Sequence, residues 1–364
     1  MKLKEIVDRL NDFAPFALQE GYDNSGIQIG DPQSNRHRGL ICLDVTEKVL
    51  DEAISKGCDL IVSHHPLLFE GLKRITGHGV VDKVVVKAIR QDIAIVSVHT
   101  NLDNISKGVN KKLAEAIGLK DLKILSPRKG LLQKLVTFCP ENHADKVRSA
   151  IFEAGAGQIG EYDCCSFNVI GNGTFRGSDD TNPFVGEKGK LHFEPETRIE
   201  TILPVYLVPQ VLKAMLNAHP YEEVAYDIYA LDNTFSNVGA GMIGLLEAPV
   251  TEIELLLKIK EALRVPFLRH SEFTGRMVQR IAVCGGSGSF LRQQALNSGA
   301  DVFISADIKY HDFIGAQSRI LLVDAGHYET EQFTKELLHE ILTKKITNFA
   351  LLISEQDINP VRYL

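Results

Sequence analysis

The sequence predicts an α/β protein, a split α/β core of two similar halves with a ferredoxin-like α+β domain inserted between them. Three observations predict it. Over residues 1–126, short apolar runs alternate with helical patterns, the grammar of a mainly parallel sheet covered by helices. The same alternation returns over 237–364. Between them, residues 127–236 switch to a β-α-β-β-α-β order, the signature of a ferredoxin-like unit. A chain of 364 residues is long for one core and fits two domains, one of them split in sequence.

The elements follow from local pattern. Leu3, Ile6, Val7 and Leu10 recur at helical spacing with charges between them, which makes the start an amphipathic helix and not a signal peptide. Strands are expected at 39–45, 59–63 and 93–98, and helices at 47–56, 80–90 and 109–117, the last stopped by Gly118. In the middle segment, strands are expected at 131–138, near 164–169, at 198–203 and at 224–229, with helices at 144–153 and 209–216. The glycine-rich stretch 171–189 reads as a long excursion between the two central strands. In the last segment, strands are expected at 242–246, 280–284, 302–305, 320–323 and 350–353. Helices are expected there at 252–263, 290–297 and 327–342.

Composition excludes several classes. Hydrophobic residues make up 44 %, as in an ordinary soluble protein, and no apolar run reaches membrane length. The net charge of -7, without a basic block, offers nothing that draws nucleic acid. Six cysteines show no C-x-x-C spacing, so neither a zinc ribbon nor a disulfide scaffold is indicated, and a cytoplasmic location is expected.

Chemistry concentrates at strand exits. The stretch D-L-I-V-S-H-H-P-L ends a strand at Ser63 and releases His64 and His65 before Pro66. Adjacent side chains of an extended segment point to opposite sides, so the two imidazoles suit two neighbouring metals better than one. H-T-N-L-D places His99 and Asp103 after the strand ending at Val98. D-A-G-H-Y-E-T-E places His327 and Glu331 after the strand ending at Val323. The functional crevice of an open α/β sheet lies outside the carboxyl ends of its strands, so three such exits can converge. His327 and Glu331 at i, i+4 stack on one helix face about 6 Å apart, and a carboxylate there can bridge two ions roughly 3.5–4 Å apart. A single pair of this kind is more often a solvated helix face; five ligands at three exits outweigh that reading.

Four motifs, Y-D-N-S-G at 22–26, S-H-H-P at 63–66, H-T-N-L-D at 99–103 and G-H-Y-E-T-E at 326–331, give the whole chain a specific resemblance. It resembles the Nif-three-like metal-binding proteins, also labelled type 2 homologues of GTP cyclohydrolase I. Tyr22 stands where that family often has tryptophan. The resemblance implies a dinuclear divalent-metal site, with His64, Asp103 and Glu331 on one ion and His65, His327 and the shared Glu331 on the other. It also implies a closed toroidal homohexamer. The middle segment, with H-P-Y-E-E at 219–223, resembles the PII- or CutA-like insert of the longer bacterial members.

Mixed histidine and carboxylate ligands suit zinc, iron or manganese. Two ions can lower the pKa of a bridging water, make hydroxide at neutral pH and polarise the bond it attacks, so hydrolysis is the expected reaction class. His99, outside the five ligands, is the expected catalytic proton carrier, with a structural role as the competing reading. The family label implies opening of a guanine ring, which makes a purine nucleotide the first substrate; phosphoester hydrolysis fits the metals equally well. The rival class is a non-catalytic regulatory or scaffold ring whose insert senses a small molecule. Two further motifs have two readings each. His219 with Glu222 and Glu223 reads as a turn or as a ligand site, and G-G-S-G-S at 285–289 as a tight turn or as a phosphate-binding loop.

Overall fold

The computed structural model describes residues 1–316, 318–356 and 359–362. The chain divides into two compact units, Met1–Ser126 with Asn237–Leu364, and Pro127–Ser236. Before the second unit the strands are Gly26–Ile29 (β1), Arg38–Cys42 (β2), Leu60–Ser63 (β3), Ala94–Ser97 (β4) and Lys120–Arg128 (β5). Within it they are Leu132–Pro140 (β6), Ser166–Phe175 (β7), His192–Pro204 (β8) and Tyr226–Leu231 (β9). The remainder are Phe235–Thr251 (β10), Arg269–His270 (β11), Met277–Ser287 (β12), Val302–Ala306 (β13), Leu321–Asp324 (β14) and Ala350–Ile353 (β15).

The first unit holds two sheets, ordered β1-β4-β3-β2-β15 and β11-β14-β13-β12-β10-β5. In each, three consecutive strands run parallel (β2, β3, β4 and β12, β13, β14), and an antiparallel edge strand flanks the third. The two halves therefore repeat one plan. Every residue of β3, β4, β13 and β14 is buried, as expected of parallel strands covered on both faces. Helix ends are specified locally. The Thr46 hydroxyl accepts from the Val49 N–H, Thr251 and Glu254 form a reciprocal capping box, and Gly118 closes its helix in the left-handed region at φ 84°.

Some expectations need correction. The strand expected at 350–353 forms, but it joins the sheet of the first half, parallel to β2. Its exit is held there by Glu52, which accepts the N–H groups of Glu355 and Gln356 and the Ser354 hydroxyl. The helix expected at 327–342 is two helices, His327–Glu331 and Thr334–Lys345; between them the Gln332 side-chain amide bonds the carbonyls of Leu263 and Glu329. β1, β5 and β11 lack a pattern the sequence could reveal, being short, half-exposed or rich in charge.

The second unit has one antiparallel sheet, ordered β7-β8-β6-β9, and helices Ala144–Glu153 and Val208–Ala218. Leu135, Ile199 and Leu203 pack with Val147, Ile151, Val211 and Met215 in its core. The glycine-rich excursion is shorter than expected, because Asn172 to Phe175 stay in register with Pro195 to His192 and extend the hairpin. His219 is a turn residue. Its Nε2–H donates to the Phe138 carbonyl at 2.9 Å, and its Nδ1 accepts the Tyr221 N–H at 3.1 Å, so no ring nitrogen is left for an ion.

Candidate metal centre

The exits of β2, β3, β4, β13 and β14 converge, and each delivers part of one cluster. β3 ends at Ser63 because the chain turns to pair with the segment beyond β2. The His64 N–H donates to the Cys42 carbonyl and the His65 N–H to the Leu43 carbonyl. The Ser63 hydroxyl closes the turn onto the His65 carbonyl. The two imidazole centroids lie 4.9 Å apart and tilted by 44°. A one-turn helix, Thr100–Asp103, follows β4 and brings Asp103 back towards His64. The short helix His327–Glu331 follows β14 and presents His327 and Glu331 on one face.

All five expected ligands meet here. The His64 Nε2 lies 3.6 Å from Asp103 Oδ1 and 3.8 Å from Glu331 Oε1. The His65 Nε2 lies 3.1 Å, and the His327 Nε2 3.2 Å, from the other oxygen, Glu331 Oε2. One carboxylate thus turns one oxygen to His64 and the second to His65 and His327. His99 stands beside them, its ring centroid 5.3 Å from that of His64 and 5.4 Å from that of His65. The donor nitrogens of His64, His65 and His99 all lie within 4.8 Å of one another.

The four rings share a device the motifs did not reveal, in that an oxygen outside the cluster holds each Nδ1. The acceptors are the Val98 carbonyl for His64 at 2.9 Å, Asp44 for His65 at 3.0 Å, Asp23 for His99 at 2.7 Å and Asp307 for His327 at 2.6 Å. Each bond fixes the ring and turns its Nε2 inward, which is how imidazoles are prepared for a cation. Asp307 follows β13 directly and Asp44 follows β2 after one residue, so the strand-exit rule applied to those strands would have found them. Asp23 sits in the Y-D-N-S-G motif, and its second oxygen accepts from the Thr100 N–H and hydroxyl.

The residues fit a divalent cation. His64 Nε2 and Asp103 Oδ1 are buried without a hydrogen-bond partner among the described residues, an arrangement that costs about 1–3 kcal/mol per group. A cation between them satisfies both. Burial lowers the His64 pKa, keeping its lone pair free. Burial, then the Glu331 charge, drives the Asp103 carboxyl well up. Burial also opposes ionisation of Glu331, yet the converging His327, His64 and His65 imidazoles hold its carboxyl well below the usual range. Two buried carboxyls pushed in opposite directions mark a shortage of positive charge.

The glycine loop 285–289 has a different task from binding phosphate. The Gly285 N–H donates to the Asn110 side-chain oxygen, the Gly286 N–H to the Thr330 hydroxyl and the Gly288 N–H to the Ser305 hydroxyl. Three of its five amides are thus spent inside the protein. A Cβ on Gly286 would stand 2.3 Å from Glu331 Oε1, so the loop is glycine-rich to admit that carboxylate.

The chain is similar to known proteins along its whole length. A "GTP cyclohydrolase 1 type 2 homolog" from Halalkalibacterium halodurans is 38 % identical over 99 % of this chain and 98 % of its own length. One from Bacillus subtilis is 37 % identical, over 99 % and 98 %. A solved structure of a Bacillus cereus protein related to NIF3 superposes with a TM-score of 0.88 at 38 % identity, covering 100 % of this chain and 99 % of that one. A Staphylococcus aureus protein gives 0.79 at 30 %, with the same coverage. The family model described as Duf34/NIF3 (NGG1p interacting factor 3) matches residues 1–360, and the chain belongs to that family.

Proposed function

We propose that the protein is a dinuclear metal-dependent hydrolase acting on a nucleotide or phosphoester. The observation that carries this reading is the sorting of Glu331, with Oε1 towards His64, whose Nε2 also faces Asp103, and Oε2 towards His65 and His327. His64, Asp103 and Glu331 would hold one divalent ion, and His65, His327 and Glu331 the other. Bound there, two ions acidify a water and polarise the bond it attacks. Asp23 keeps the proton of His99 on Nδ1, so His99 Nε2 is the base that accepts a proton from the incoming water and returns it to the leaving group. Asp44 and Asp307 keep the His65 and His327 rings from rotating during that exchange.

The name borne by the curated relatives supports a purine nucleotide as the first substrate to test. The β-α-β-β-α-β connectivity of the second unit supports a PII- or CutA-like role for the insert, and a toroidal homohexamer is the proposed assembly. No disulfide joins the cysteines among the described residues, which supports a reducing compartment such as the cytoplasm. Among the described residues, no helix is long and apolar enough to cross a membrane.

The test is elemental analysis with turnover. Wild type should hold up to two divalent ions per chain, Glu331→Ala should lose both, and ring opening or phosphate release from a nucleotide panel should fall in His65→Ala and His327→Ala. Full occupancy in Glu331→Ala sinks the metal assignment. No turnover of any nucleotide or phosphoester with both ions present moves the reading to a regulatory ring.

A further inference from the structure

A cleft of about 650 Å³ opens on the histidine cluster, with His65, His99 and His327 at its base and the rings of Phe69, Phe267 and Tyr328 in its walls. Phe69 is 47 % and Phe267 58 % exposed, so both large apolar rings keep accessible surface beside a polar centre. Flat rings are what such walls receive.

Arg269 also lines the cleft, and its guanidinium is held in place. One nitrogen donates to Asp324 Oδ2 at 3.1 Å, another to the Ile308 carbonyl at 2.7 Å, and the group lies 5.2 Å from the centre of the Phe313 ring. Two of its five N–H groups are used, and the others have no partner among the described residues. A fixed, always charged fork of this kind receives a carboxylate or phosphate without having to be ordered first. Asp324 does not depend on it, since its oxygens also accept the Ile308 and Gly326 N–H groups, each at 3.1 Å.

Charge then limits the ligand. Among the described residues no lysine lines the cleft, and Arg269 is its one guanidinium. In and around the base stand the carboxylates of Asp23, Asp44, Asp103, Asp307, Glu329 and Glu331, which outnumber the four charges that two divalent ions bring. A run of phosphates would meet one guanidinium and a surplus of negative charge.

Resting on the hydrolase reading, we propose that the cleft takes a flat ring bearing a single anionic group, with the ring against Phe69, Phe267 and Tyr328 and the anion on Arg269, and that it discriminates against polyphosphates. Arg269 is the residue that sets this specificity.

The experiment is calorimetric titration of the metal-loaded full chain with guanosine, GMP and GTP as probes. GMP should bind at least about tenfold tighter than guanosine, roughly 1.4 kcal/mol, and GTP no tighter than GMP. In Arg269→Ala the advantage of GMP should fall below about twofold while guanosine affinity holds; Arg269→Lys should recover only part of it, because a point charge cannot fork. Phe267→Ala, at an exposed ring, should weaken all three. GTP binding about tenfold tighter than GMP, a GMP-to-guanosine ratio unchanged in Arg269→Ala, or no binding of any probe at millimolar concentration would each overturn the proposal. The expected binding pattern without turnover would sink the hydrolase reading alone; GTP hydrolysis indifferent to Arg269 would sink this one alone.

Discussion

Gly286→Ala should cost the protein its metal while leaving it folded. Gly286 sits at φ +59°, in the left-handed region, where an L side chain costs about 1–2 kcal/mol. That strain alone is matched by Gly299→Ala, at φ +73° with nothing within 4 Å of the new Cβ. At Gly286 the Cβ also meets Glu331 Oε1 at 2.3 Å and His327 Cε1 at 3.2 Å. Glu331 has a side chain only 5 % exposed, hemmed in by three imidazoles, so it can clear the methyl group only by withdrawing from His64. A carboxylate drawn back by about an ångström no longer reaches a cation. Affinity should fall about 100-fold or more, roughly 2.7 kcal/mol, beyond a shared destabilisation of about 1–2 kcal/mol. Chemical denaturation in chelator would measure the shared part, and zinc titration against a competing indicator the difference. Gly286→Ala binding zinc as tightly as Gly299→Ala would show that Glu331 does not need its present position, and would refute the bridging assignment.

Three further outcomes are expected. Asp44→Asn and Asp307→Asn should each lower metal affinity about 10- to 100-fold with no ligand removed, by competition titration; unchanged affinity would mean the rings are held by packing alone. Burial pushes His65 and His327 down, but hydrogen bonds to Glu331 with Asp44 and Asp307 outweigh it and raise them to about 11 and about 9. The metal-free fold therefore draws stability from these protons below the ordinary histidine value and loses it as pH rises through about 9 and then about 11. Loading at pH 7–8 should release up to two protons per chain, read by calorimetry in buffers of different ionisation enthalpy, with zero release contradicting ligation by these rings. Replacing residues 127–236 by a short flexible linker should leave a folded core that still binds metal, because all five ligands lie in the other unit; a folded deletion without metal would show that the insert builds part of the site.

How far the sequence reveals this protein depends on how each feature is encoded. Buried parallel strands announce themselves as continuous apolar runs, so β3, β4, β13 and β14 are visible within a residue or two. The ligands are visible because they follow those strands at once. Asp44 and Asp307 obey the same rule but stand alone, and a single carboxylate after a strand looks like any turn residue. The 285–289 loop misleads for a physical reason. Glycine is needed wherever something comes close to the backbone, and here that is a buried carboxylate instead of a phosphate. β1 and β11 are edge strands, of four residues and two, specified by the neighbour they pair with. The partner of β15 is a matter of tertiary packing, and nothing in A-L-L-I says which sheet it will join.

That last strand ties folding to the order of synthesis. β2 leaves the ribosome about 300 residues before β15, the strand that covers its free edge. At about 5–20 residues per second, the interval is roughly 15–60 s. Throughout it, the nascent first half carries an uncovered parallel edge whose residues Gly39 to Cys42 are buried in the finished protein. Such an edge is a template for pairing with another chain. A chain truncated just before Ala350 keeps every expected metal ligand yet should collect in the insoluble fraction, and its recovery as a soluble, metal-binding protein would show that the first half closes without β15.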